Sequence, residues 1–185
     1  MKNGTADLSR GLRFVLAGVG ANLLGTFLPQ GVNLAAAGVG FTLTGLGLIF
    51  ATRADKRFWI SFFLVVTNTI LVDMLYDFRS GGPSTVLVGV LDLLLSTATV
   101  CTICLFTLPF VEGKKDGGAK QGQWAWKCEI ASAVCALSVS LMKDVPGMEE
   151  LKFSLSLLSS LAMLLTGVFY LYFLWKAGRA LKLPG

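Results

Sequence analysis

Asp92 lies inside an apolar run of this 185-residue chain. An ionisable group there costs about 2.5–3.5 kcal/mol on insertion scales, which makes Asp92 the first candidate for chemistry. Ser96 and Thr99 continue its face at helical spacing, and Asp92 itself lies about seven residues, or ~10 Å, from the outer end of the run. In the preceding apolar run Thr69, Asp73 and Asp77 form a second polar stripe, with Asn68 pointing elsewhere. Converging, these faces would line the outer half of a bundle with carboxylates able to take a cation, a proton or a polar solute. Lys143 would enter that cavity or neutralise it. The competing reading keeps Asp73 and Asp77 at the interface and pairs Asp92 with Lys143 or a hydroxyl as structural glue. One deep carboxylate is fewer than transport or proton-relay sites usually carry, which favours the structural reading.

Other reactive groups point to packing. Cys101 and Cys104 form a C-x-x-C, and Cys128 and Cys135 share a helix face with Ser132, so a redox or metal role has to be weighed. Neither histidine nor a basic residue stands near enough to lower a thiol pKa, and all four lie toward the reducing side, so small apolar packing is preferred. Lys127 is expected to snorkel to the headgroups, and Glu129 to sit in the first turn of its helix, where negative charge favours the dipole. The chain has no histidine, which excludes Ser-His-Asp and Cys-His catalysis and histidine-ligated metals. No phosphate-binding loop, dinucleotide fingerprint, metalloprotease motif or EF-hand occurs. No catalytic residue, cofactor or metal is therefore expected.

The elements that position these residues are helices in a membrane. Hydrophobic residues make up 54% of the chain, charged residues only 15%, and the mean hydropathy is +0.70. A helix rises about 1.5 Å per residue, so roughly 20 apolar residues cross the hydrocarbon layer. That length predicts spans at 12–28, 32–51, 58–76, 85–110, 124–143 and 151–176. The flanks of the first span imitate a cleavable signal peptide, but Pro29-Gln30-Gly31 reads as a tight turn and the second span needs the first as a packing partner, so the segment is expected to be retained.

Lysine and arginine alternate between the loops. Lys2, Arg10 and Arg13, then Arg53, Lys56 and Arg57, then Lys114, Lys115 and Lys120, then Lys176, Arg179 and Lys182 fall on one side. Arg79, Lys143 and Lys152 on the other are diluted by Asp77, Asp144, Glu149 and Glu150. The positive-inside rule then predicts both termini in the cytoplasm, with the chain integral to the cell membrane. The net charge of +5 is explained by topology, and nucleic acid is not expected as a partner. Trp59, Trp124, Trp126 and Trp175 all fall on the basic side, at the level where an indole prefers to lie. The linker at 112–123 could meet anionic headgroups or a cytoplasmic protein, although a plain basic loop explains it equally well.

Taken in pairs, the spans give three helical hairpins, 12–51, 58–110 and 124–176, in a single all-α transmembrane domain covering 1–185. Each outer turn contains proline and glycine: Pro29 with Gly31, Gly81-Gly82-Pro83, and Pro146-Gly147. Helices in lipid associate through small residues, and two such series stand out at four-residue spacing: Ala17, Ala21 and Gly25, and Ala36, Gly40 and Thr44. They either pack the first hairpin against itself, the preferred reading, or form an assembly surface for a partner or a second copy.

With Leu23-Leu24-Gly25, Pro29 and the Gly38/Gly40/Gly45/Gly47 helix in its first unit, the chain resembles the HdeD-type acid-resistance membrane proteins. The second unit departs from that pattern in its acidic residues and the third in its serines. The resemblance implies a non-catalytic role in membrane protection under stress and brings no functional residue with it. Two functions are thus expected: a structural, stress-response or partner-binding membrane protein, or a small transporter, channel or substrate-capture subunit with its site around Asp92.

Overall fold

The computed structural model describes residues 2–77, 84–114, 116–142 and 145–182, and every regular element among them is an α-helix. In chain order these are α1 (Lys2–Gly25), α2 (Gln30–Thr52), α3 (Phe58–Asp77), α4 (Ser84–Val111), α5 (Ala119–Leu141) and α6 (Glu149–Ala180). Each packs on its neighbours in sequence, and α6 returns against α1, so the six form a ring; α4 also touches α6.

Three of the six are long and apolar enough to cross a membrane by composition alone: Val32–Thr52, Leu87–Val111 and Glu149–Ala180. Phe58–Ile70 is a shorter apolar stretch. The first and fifth helices do not reach that standard among the described residues, because α1 carries Lys2, Asp7, Arg10 and Arg13 and α5 carries Lys120, Lys127 and Glu129.

Two helix starts differ from expectation. α1 begins near the first residue rather than at 12, because its charges occupy one face while Leu8, Ser9, Leu12 and Val15 are buried on the other. α5 begins at Ala119, five residues before the expected 124, directly after Gly118 in the left-handed region at φ 75°. There a Cβ would press on the Lys176 stem, and one turn later a Cβ at Gly122 would lie 2.7 Å from the Phe173 ring. α5 thus starts where its glycines let α6 come close.

The dry core sits at one end of the ring. Leu8, Leu12, Val15, Leu48, Phe58, Ile103, Val111, Phe173 and Leu174 bury their side chains there. The same end carries most of the cations, capped on aromatic faces: Arg53 over Phe50, Arg57 over Phe106, Lys176 over Tyr172 and Arg179 over Trp175. Asp55 turns the chain into α3 by accepting the Arg57 backbone N–H at 2.9 Å. The side-chain hydrogen bond from the Arg57 guanidinium holds the Asp55 carboxyl below its ordinary range. At the opposite end, beyond residues 19, 40, 93, 134 and 161 of their helices, only Gly25 and Val88 are buried among the described residues. Phe27, Leu34 and Leu141 stand wide open there, suited to lipid rather than water.

The first hairpin is closed by backbone-to-backbone contact. Gly11, Gly18 and Gly25 recur every seven residues along α1 and meet Gly47, Gly40 and Ala36 of α2. A Cβ at Gly11 would lie 2.5 Å from the Gly47 carbonyl, and one at Gly18 would lie 2.6 Å from the Gly40 carbonyl and overlap the Thr44 hydroxyl. That hydroxyl is buried without a hydrogen-bond partner and fills the space a Gly18 side chain would need. Ala36, Gly40 and Thr44 are in this seam with Gly25, whereas Ala17 is exposed and Ala21 half-exposed beside it. Gly18→Val should therefore destabilise the fold by about 1–3 kcal/mol through overpacking. Gly38→Ala, where an added Cβ meets nothing within 4 Å, should stay within about 0.5 kcal/mol. Thermal unfolding of the two variants in detergent checks the contrast.

Candidate functional site

α4 organises the interior polar groups. Its residues Leu87, Leu91, Leu94 and Leu105 are exposed, while Ile103 and Thr107 on the opposite side are fully buried. Asp92, Ser96 and Thr99 extend that buried stripe by helical spacing, so Asp92 faces the inside of the ring. It is half-buried and forms no hydrogen bond or ion pair with any described residue. The Ser96 hydroxyl donates to Leu93 O at 3.1 Å and the Thr99 hydroxyl to Leu95 O at 2.8 Å, both back into their own helix. Neither therefore spends its proton on Asp92.

On the neighbouring helix, Ser61 is fully buried and donates to the Thr102 hydroxyl at 2.8 Å. Counting antiparallel from that bond sets Asn68 near the height of Leu95, about one turn below Asp92. Asn68 continues the Ser61 face, seven residues on, and so turns toward α4; its amide oxygen is buried without a partner. Thr69 is half-buried beside it. The side chains of Asp73 and Asp77, and Lys143 altogether, lie outside the described residues.

A second acidic position is more enclosed than its sequence suggested. Because α5 starts at Ala119, Glu129 is ten residues, or ~15 Å, inside the helix rather than in its first turn. It occupies the same stripe as Gly122, Ala125, Ser132 and Ala133, all of them buried. The Thr97 hydroxyl, at the midpoint of α4, approaches Glu129 Oε1 at 3.4 Å. From α6, Thr166 lies beside the same carboxyl, and Cys101, Cys104 and Tyr170 are within its electrostatic reach. Three helices thus bring their polar groups to one carboxyl at mid-height. Lys127 points away, its ammonium over the Trp124 and Trp126 rings. The signal for Glu129 was present in the sequence as a glutamate within a run of small residues at three- and four-residue spacing.

The cysteines are free thiols. Cys104 is fully buried in the core, and Cys101 places its sulfur 3.9 Å from the Trp126 carbonyl. No group of three or more His, Cys, Asp or Glu residues able to hold a metal occurs among the described residues.

Just beyond Glu129, Ser132 and Ser159 lock α5 to α6 with reciprocal bonds: Ser132 donates to Ser159 O at 3.1 Å and Ser159 to Ser132 O at 3.0 Å. Interhelical bonds of this kind average about 0.6 kcal/mol in lipid. Ser132→Ala and Ser159→Ala should each cost roughly that much, and the double variant close to their sum, because each hydroxyl donates to the other residue's backbone carbonyl, which alanine keeps, and only the 3.3 Å contact between the two hydroxyls is shared. A double-mutant cycle on unfolding free energy measures the coupling.

No family model matches this chain, and neither a curated protein nor a solved structure matches it. The arrangement of its own residues is therefore the ground for a functional reading.

Proposed function

We propose that this chain is a non-catalytic integral protein of the cell membrane that takes a small polar or cationic solute into its ring of helices, as a small transporter, channel or substrate-capture subunit does. Asp92 carries the reading, as an inward-facing carboxylate inside an apolar helix with no described cation beside it. Buried carboxylates without a counter-charge are expensive, so one that is retained points to a ligand that supplies the charge. The unpartnered Asn68 amide oxygen, one turn away, adds an acceptor of the same kind.

In this reading all six helices cross the bilayer and both termini are cytoplasmic. The cations gathered at one end support that orientation, as do Trp59, Trp124 and Trp175, exposed at the same end. The charges of α5 do not oppose spanning: Glu129 turns inward, and Lys127 reaches the Trp124 and Trp126 rings at the interface. In α1, Arg10 and Arg13 are near the basic end, and Arg13 donates to Gly178 O at 3.4 Å.

The alternative is a structural, stress-response or partner-binding role of the HdeD type, in the bilayer alone or as a homo-oligomer. Its support is the three-hairpin order and the close glycine seam, which suit a rigid scaffold. Asp92→Asn separates the two. Proteoliposome currents evoked by sodium, potassium or acid pulses should be abolished by this variant with thermal stability kept, if Asp92 serves a transported solute. Reduced expression or melting temperature with no current to lose would support the structural role, and an unchanged current with unchanged stability would remove Asp92 from both.

A further inference from the structure

Glu129, rather than Asp92, has the more complete set of ligands. Its carboxyl is flanked by the Thr97 hydroxyl at 3.4 Å and by Thr166 on the third helix. Thr166 is only 4% exposed, and its hydroxyl lies beside the carboxyl without closing a hydrogen bond of good geometry. A hydroxyl so deeply buried is destabilising unless something satisfies it.

The surroundings define what that something is. Among the described residues α5 packs chiefly on α4 and α6. From α4 the titratable groups facing Glu129 are Cys101 and Cys104, and the single charged residue of that helix is Asp92, five residues or ~7.5 Å higher. From α6 it meets Tyr170, and the nearest cation along that helix is Lys176, ten residues beyond Thr166. On α5 itself Cys128 is adjacent in sequence, and Lys127 is held over two indoles. Among the described residues no side-chain cation reaches the carboxyl. One negative charge with two hydroxyl oxygens matches a single positive charge, and a divalent ion would leave an excess charge in a low-dielectric interior.

We infer that Glu129, Thr97 and Thr166 form a binding site for one monovalent cation, an alkali metal ion or a proton, at mid-height between α4, α5 and α6. This deepens the proposed function and rests on its membrane-spanning reading. With an alkali ion bound, the carboxylate supplies the charge and both hydroxyls turn lone pairs to the ion. With a proton bound, the carboxylic acid donates to one hydroxyl and accepts from the other, which satisfies Thr166 in either case.

Dicyclohexylcarbodiimide, which attacks protonated carboxyls in apolar surroundings, tests the site on the full chain in nanodiscs, with the Glu129 peptide read by mass spectrometry. Glu129 should label, faster in acid than in alkali. A sodium or potassium ion in the site should slow labelling relative to choline, by about tenfold at ten times its dissociation constant. Acceleration by acid with no protection by either ion identifies the ligand as a proton alone. Thr166→Val, nearly isosteric, should weaken the protection or shift the pH dependence while the melting temperature holds; Glu129→Gln should abolish the label. An unlabelled Glu129 at every pH, a rate indifferent to both pH and cation, or a Thr166→Val profile identical to the parent would overturn the inference. Asp92 lies on a different peptide, so currents lost in Asp92→Asn with Glu129 unlabelled would keep the proposed function and remove this site alone.

Discussion

The ring depends on one closure, where the first helix meets the last. Ser9, almost completely buried, donates to Gly178 O at 2.7 Å, and the Arg13 guanidinium reaches the same carbonyl. Carbonyls near a helix C-terminus are short of donors and carry negative partial charge, so a hydroxyl and a cation there satisfy both needs at once. Gly178 makes room for the approach, since an added Cβ would already touch the Arg13 stem at 3.4 Å. Lys114 does the same service for Ala180 O at 3.4 Å from the other side. With α6 fixed to α1, the buried face of α6 holds α5 through Phe173 and Gly122, and α5 in turn fixes the height of Glu129 against Thr97.

That closure also explains why dry core and polar interior are separated. Aromatic and branched residues fill the basic end, where six helix termini converge and connecting loops are tied down. Toward the middle the inward positions become small or hydroxylated: Ser96, Thr97 and Thr99 on α4, Ser132 and Ala133 on α5, Ser159, Ala162 and Thr166 on α6. Most of these hydroxyls donate within their own helix or across a serine pair, which costs the bundle little. Thr166 does neither. Thr166 shares that condition with the Asn68 amide oxygen, but of the two only Thr166 lies beside the Glu129 carboxyl.

Much of this architecture was legible in the amino-acid order. The apolar runs set α2, α3, α4 and the start of α6 to within about two residues, which is the normal uncertainty of a helix end, while α6 continues four residues past the expected 176. α1 was read short because its charges were weighed as composition rather than as one face: Leu8, Leu12 and Val15 already show the spacing of a buried stripe. The glycine seam was sought at four-residue spacing, which led to Ala17 and Ala21, whereas the contact follows the seven-residue repeat of Gly11, Gly18 and Gly25. Asn68 lies off the Thr69 stripe by helical spacing, and what the sequence did not reveal is that its own face, shared with Ser61, is the one turned to α4 by the bond to Thr102.

Glu129 illustrates a different limit. Whether a glutamate near the start of a span is interfacial or enclosed depends on where the helix begins, and that depended on Gly118 taking a left-handed conformation beneath Lys176. A loop ending five residues later would have put the same carboxylate at the headgroups and paired it with the macrodipole. Instead the helix extends through the linker, Lys127 lies over the Trp124 ring, and the inward-facing Glu129 is carried to the level of the α4 midpoint. The position of Glu129 within its helix is thus tied to Gly118, eleven residues away, and to the Phe173 ring that Gly122 accommodates one turn later, a relation between distant residues that no local pattern around Glu129 contains.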